Sequence, residues 1–266
     1  MENGRQFVQK GLYVRLNRFI FMYHFFVNPS CIQEKKAVIE GADARHISKV
    51  LRMREGEKLI INTGGDWEYL CVIEKIQKDR VYLEIKEENE DVRELPNRIV
   101  LFQALPKLDK MDFIIQKAVE LGVSEIVPVI TNRVVVKLDA KKTLQRFERW
   151  NAIAKSAAQQ SKRNIIPYVN KPLDFENVLE YTKDFKHKLI PYELERRKGR
   201  LDIFLKKISA DEDIAVFIGP EGGFEESEVE AAIDAGFNSL MLGKRILRTE
   251  TAGLAVLSAI MLYLDA

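Results

Sequence analysis

The sequence predicts an α/β protein in two parts, a small β-rich barrel followed by a larger domain of alternating strands and helices. Three observations carry this prediction. From Tyr23 to Lys86 the apolar runs are short, rich in β-branched and aromatic residues, and broken by the turn signal Gly64-Gly65-Asp66. From Ile99 onward, apolar runs alternate with segments of helical periodicity, the pattern of a mostly parallel sheet with helices on both faces. Between the two regions, the acidic run Glu87–Asp91 and Pro96 mark a boundary, and 266 residues are enough for two domains.

In chain order, residues 1–21 form an extension ahead of Met22, which reads as a natural start. The run Phe19–Val27 behind Lys10, Arg15 and Arg18 imitates a signal peptide but lacks a small-residue cleavage site. Residues 22–94 make the barrel, with strands at Tyr23–Val27, Lys58–Asn62, Tyr69–Lys75 and Val81–Lys86 and one early helix at Ala44–Met53. Residues 97–266 make the large domain. Its strands are predicted at Ile99–Ala104, Glu125–Ile130, Ile166–Tyr168, Lys188–Pro191, Ile214–Ile218 and Ser239–Leu242. Its helices are predicted at Lys110–Leu121, Ala140–Gln160, Phe175–Lys183, Leu201–Ile208, Ser227–Ala235 and Thr251–Leu264. Ser227 three residues before Glu230 reads as a capping box. The last helix is apolar on nearly all sides, so it is deeply buried or lies at a subunit interface.

Composition narrows the function classes. With 46% apolar and 31% charged residues, the chain is an ordinary folded protein. Cys31 and Cys71 stand far apart and His24, His46 and His187 are scattered, so no disulfide framework or metal site is predicted, and a reducing, cytoplasmic setting fits. The apolar run Ala252–Leu264 is shorter than the roughly 20 residues that cross a bilayer, and no membrane span is expected. Net charge is only +2, but between Thr131 and Lys171 ten basic residues face two acidic ones, a net of +8.

Two strand ends carry the chemistry. Val216-Phe217-Ile218 runs into Gly219-Pro220-Glu221-Gly222-Gly223, where glycine allows a close approach and proline stiffens the turn. Strand ends of open α/β sheets bind ligands, although this loop alone is equally a tight turn between strand and helix. The fingerprints of dinucleotide and triphosphate sites are absent. The second strand end, Met241–Ala252, sets Arg248, Thr249, Glu250 and Thr251 in a row before the apolar helix. One hydroxyl, Thr249 or Thr251, suffices to cap that helix, so the remaining polar groups point to a ligand or partner.

GPEGGF at Gly219–Phe224, Leu242-Gly243 and LRTETA at Leu247–Ala252, in this order, resemble the signature of the bacterial 16S ribosomal RNA uracil-N3-methyltransferases of the RsmE type, in the SPOUT class. His46–Arg52, Lys117–Gly122 and Ala158–Arg163 resemble further motifs of that family, and the resemblance covers Met22 to Ala266. The chain departs from it at Gln159, where Glu is common, and at His24, where Arg usually precedes the paired Phe. The resemblance implies a PUA-like N-terminal barrel, a C-terminal trefoil-knot domain, a homodimer, and S-adenosylmethionine as methyl donor. It implies cofactor contacts at Pro191, Gly219, Pro220, Glu221, Gly222, Leu242, Gly243, Ile246, Leu247, Thr249, Thr251 and Ala252.

Uracil N3 is protonated at neutral pH, so methylation there requires loss of that proton and stabilisation of the anion. Arg248 is the candidate for the electrostatic role; Glu250 or Glu221 is a candidate proton acceptor, or else a carboxylate serving the helix start. For the partner, 16S RNA of the small ribosomal subunit, two basic stripes stand out. Arg45, Lys49 and Arg52 recur at helical spacing with Arg54 beyond, and Lys142, Arg146 and Arg149 repeat it. Arg133 belongs to the same basic segment, and Gln160, Ser161 and Arg163 end the long helix, placed to meet the target nucleotide. The alternatives are a SPOUT enzyme acting on a ribose 2′-hydroxyl and a catalytically silent RNA-binding assembly factor.

Overall fold

A computed structural model describes residues 22–90, 93–107, 110–134, 140–192 and 199–266, with backbone alone at 140–142. The expected extension, residues 1–21, lies outside the described residues. The chain divides into two compact units, one running to Arg93 and joined by Lys162–Asn164, the other comprising Glu94–Ser161 and Ile165–Ala266.

The first unit is a six-stranded sheet built from β1 (His24–Phe26), β2 (Ile32–Gln33), β3 (Lys36–Glu40), β4 (Lys58–Asn62), β5 (Trp67–Ile76) and β6 (Arg80–Glu90). Their order is β1-β4-β5-β6-β3-β2, with β1 parallel to β4 and every other pair antiparallel. Ile39, Ile47, Leu59, Ile61, Ile73 and Leu83 fill its core.

Three expectations are corrected here. The acidic run at 87–90 is strand, because Trp67–Leu70 on β5 pairs with it residue by residue and cross-strand hydrogen bonding overrides the weak strand preference of glutamate. Strand β3, passed over in the sequence, alternates as a half-buried strand should, with Ala37 and Ile39 turned inward. The early helix is α1 (Gly41–Arg45), which continues as a π turn over His46–Val50; Arg52 follows in the left-handed region at φ 53°. The face expected to carry Arg45, Lys49 and Arg52 therefore does not continue as one α-helical stripe.

The second unit has an all-parallel sheet of β7 (Ile99–Ala104), β8 (Glu125–Ile130), β9 (Tyr168–Val169), β10 (Leu173–Asp174), β11 (His187–Pro191), β12 (Ile214–Ile218) and β13 (Asn238–Leu240). The order is β10-β8-β7-β12-β11-β13, with β9 beside β8. β7 and β12 are buried along their whole length, as continuous apolar runs covered on both faces must be. Phe102 and Phe217 sit opposite each other in register, with ring centroids 6.2 Å apart, at the centre of this core.

Among the described residues six helices accompany the sheet: α2 (Lys110–Glu120), α3 (Ala140–Ser161), α4 (Phe175–Tyr181), α5 (Leu201–Leu205), α6 (Glu226–Asp234) and α7 (Thr249–Leu264). The α6 start differs from the expected box. Glu225 is the N-cap and its backbone N–H donates to Glu228 at 2.8 Å, two residues earlier than Ser227 and Glu230 suggest. Glu228 also accepts from the Asn132 backbone N–H at 2.8 Å, which fixes the choice. Helix α7 buries Gly253, Val256, Leu257 and Ile260 but leaves Leu262 66% exposed.

Candidate active site

Because β11, β12 and β13 are adjacent and parallel, their carboxyl ends open on one edge of the sheet and the loops that follow converge. Between these loops lies a cleft of about 370 Å³, lined by Pro191 at the end of β11, by Gly219, Pro220 and Glu221 after β12, and by Ile246–Thr249 and Ala252 leading into α7. A second hollow of about 150 Å³ shares Pro191, Ile246, Leu247 and Ala252 and extends past Leu242 and Gly243.

The loop after β12 is shaped by packing. The Phe224 ring stacks edge-on against Phe217 at 4.9 Å and so closely under Gly219 that a Cβ there would meet it at 3.0 Å. Gly223 takes φ 69° and returns its N–H to the Pro220 carbonyl at 2.9 Å. Arg133, expected at RNA, donates from Nη1 to the Gly222 carbonyl at 2.8 Å and braces the loop from outside.

A buried polar chain ties this loop to α7. Gln103, at the end of β7 and fully buried, donates from Nε2 to Thr249 Oγ1 at 2.9 Å; that hydroxyl donates to the Gly219 carbonyl at 2.6 Å. Thr249 thus does not cap α7, whose N-cap is Arg248 with extended backbone. Arg248 is exposed and lines the cleft. On the remaining side Lys110, the first residue of α2, donates from Nζ to Glu221 at 2.9 Å and pairs with Glu250 at 3.3 Å. Burial works to raise the Glu221 carboxyl, but the Lys110 hydrogen bond, backbone N–H donors and the Lys110 charge outweigh it and hold the group below its ordinary value.

Of the residues expected at the cofactor, Gly222, Thr251 and the catalytic candidate Glu250 do not line the cleft: Gly222 turns to Arg133, and Glu250 turns to Lys110. Lys110 and Gln103 were missed. Their signal was the apolar strand end at Ala104, the same kind of strand end that drew attention to Gly219.

The basic residues are dispersed. Arg45 pairs with Asp79 at 3.0 Å, while Lys49, Arg52 and Arg54 are exposed. The Lys142 side chain lies outside the described residues. Arg149 pairs with Asp112, and Arg146 lines a small hollow beside Leu105, Pro106 and Trp150. Gln160 is exposed, the Ser161 hydroxyl turns back to the Ala157 carbonyl at 2.8 Å, and Arg163 is only 6% exposed. Arg163, expected at the nucleotide, follows the end of α3 in a stretch grouped with the first unit, and its side chain is buried. A larger hollow of about 670 Å³ on the first unit is lined by Lys36 and Glu74, which pair with each other at 3.2 Å.

Among the described residues no helix is long and apolar enough to cross a membrane, and no group of three or more His, Cys, Asp or Glu could hold a metal ion.

Sequence comparison sets the class first. A family model of an RNA methyltransferase domain matches residues 93–261, and one of an RNA methyltransferase PUA domain matches residues 39–86. The chain is 39% identical over 225 residues to ribosomal RNA small subunit methyltransferase E of Bacillus subtilis strain 168, covering 84% of this chain and 88% of that protein. It is 37% identical to the protein of the same name from Mesomycoplasma hyopneumoniae strain 232, covering 89% and 98%. The crystal structure of ribosomal RNA small subunit methyltransferase E from Neisseria gonorrhoeae bound to S-adenosyl methionine aligns with TM-score 0.78 and 35% identity over 90% of this chain and 96% of that one. The chain belongs to the ribosomal RNA small subunit methyltransferase E family.

Proposed function

We propose that this protein transfers the methyl group of S-adenosylmethionine to N3 of one uridine in 16S ribosomal RNA, acting in the cytoplasm as a homodimer whose second unit carries a trefoil knot. The carrying observation is the cleft at the ends of β11 and β12, where Gly219–Glu221, Pro191, Leu247, Thr249 and Ala252 meet beside the exposed Arg248, in a chain of this family. The close approach of Phe224 under Gly219 shapes a backbone-lined wall suited to a flat, partly apolar ligand.

A sulfonium donor brings its own leaving group, so the protein's task is to hold donor and acceptor in line and to favour the uracil anion, whose N3 proton leaves to solvent as the anion forms. Pro191, Gly219 and Leu247 hold the donor. Arg248, exposed at the cleft, is the group assigned to stabilise the negative charge that develops on the uracil ring. Glu221, held ionised by Lys110, orients the loop. The uridine must leave any base pair to present N3, and the exposed Arg54 and the partly exposed Arg146 contribute phosphate contacts.

Small subunits from cells lacking this activity, incubated with the protein and S-adenosylmethionine and digested to nucleosides, are expected to yield 3-methyluridine by mass spectrometry. A 2′-O-methyl nucleoside instead would move the reaction to the ribose. Absence of cofactor binding by calorimetry would leave an RNA-binding assembly factor. Arg248→Ala is expected to slow single-turnover methylation about 10²–10³-fold with cofactor affinity retained; an unchanged rate removes Arg248 from the mechanism.

A further inference from the structure

We propose that Lys110 is a positioning residue of the cofactor cleft, its ammonium clamping together one carboxylate from each of the two loops that close it. The inference rests on the reading that this cleft holds S-adenosylmethionine.

Lys110 opens α2 and comes from a third strand end, that of β7. Its Nζ lies 2.9 Å from Glu221 Oε1, in the loop after β12, and 3.3 Å from Glu250 Oε2, in the first turn of α7. The same Glu221 carboxylate accepts the Lys107 backbone N–H at 3.1 Å, so three chain segments meet at one carboxylate. The three side chains are only 29%, 26% and 19% exposed, which sets this cluster apart from the free surface pairs of the molecule, such as Arg200 with Asp202 at 68% and 53%. A single exposed pair holds nothing in place, because solvent competes for both partners and the side chains pay entropy to meet. Two partly buried carboxylates brought to one nitrogen are different: each repels the other, and the cation between them offsets that repulsion.

The consequence falls on the walls of the cleft. Pro220 and Glu221 form one wall and Arg248 and Thr249 the other, and Lys110 lines the cleft between them. Without the ammonium, the two carboxylates push the loops apart above the pH at which either takes a proton. Lowering the pH lets one carboxyl protonate, and the repulsion ends. The clamp also directs Glu250 toward Lys110 and away from the cleft, so its work is structural.

The test is calorimetric binding of S-adenosylmethionine to the full-length protein and to Lys110→Met, Lys110→Arg and the double variant Lys110→Met with Glu221→Gln, each between pH 5.5 and 8.5. The parent is expected to bind with little pH dependence from this cluster. Lys110→Met should bind about tenfold more weakly at pH 8.5 and recover toward pH 5.5. Lys110→Arg should restore most of the affinity, and the Glu221→Gln change should relieve the Lys110→Met defect at high pH. Recovery in the double variant excludes misfolding, since it carries the same loss of lysine. Parent-like binding by Lys110→Met, or a loss that is the same at every pH and untouched by Glu221→Gln, overturns the clamp. A parent that fails to bind the cofactor overturns the reading of the cleft itself.

Discussion

Gly219 shows how a single missing carbon shapes this site. Its position over the Phe224 ring would press a Cβ against that ring at 3.0 Å, and Phe224 is in turn packed on Phe217 in the sheet core. Gly219→Ala is expected to cost about 1–3 kcal/mol by overpacking, read as a lower denaturation midpoint, and to weaken cofactor binding further as the loop shifts. The need for glycine was legible in the sequence, but the reason was not: the obstacle is a ring five residues on, and only the fold brings it back. Cys71 gives a second residue-scale outcome. Burial pushes its thiol up to about 12, so it is expected to resist alkylation in the native protein at neutral pH and to react only on unfolding, by mass spectrometry of labelled peptides.

Among the elements, the strands and long helices of the second unit followed from their periodicity. Ile99–Ala104, Glu125–Ile130 and Ile214–Ile218 lie where the apolar runs place them, because buried parallel strands leave no other role for such runs. The short elements were harder to read. β3 is five residues with lysine and glutamate at its ends, and its partner β6 supplies the hydrogen bonds that make it a strand. Lys110 follows a strand end that the apolar run of β7 marks, but nothing in its neighbours announces two carboxylates more than a hundred residues away. Helix α7 carries its own prediction. Its outer face, with Leu262 66% exposed and Tyr263 39%, is the surface proposed to meet a second copy. Leu262→Asp is expected to move the protein from dimer to monomer in analytical ultracentrifugation while leaving its circular dichroism unchanged.

For the whole molecule, the ionisable groups set a pH window. Glu221 and Glu212 are both held below their ordinary value of 4.5, Glu221 against the effect of its burial by Lys110 and backbone N–H groups, and Glu212 chiefly by its hydrogen bond with His187 at 2.6 Å. A lowered folded value means stability present above 4.5 and lost as pH falls through the folded value; Lys110, raised above 10.5 first by its bond to Glu221, keeps its share until the solution is more basic than that. Urea midpoints are therefore expected to be flat across neutral pH and to fall below about pH 4. RNA affinity should decline linearly with log salt, and Arg54→Ala or Arg146→Ala should each reduce the slope by about one.

The hydroxyl of Thr249 joins the first residue of α7 to the carbonyl of Gly219 at 2.6 Å. The helix that presents an uncovered apolar face therefore also holds the backbone of the cofactor loop. Anything that repacks α7 changes the free energy of filling the cleft, and by reciprocity filling the cleft changes the affinity of whatever docks on α7. Subunit association and donor binding are thus expected to be linked, so that apparent S-adenosylmethionine affinity weakens on dilution of the protein. Thr249→Val, which keeps the shape and removes the bond, should uncouple the two.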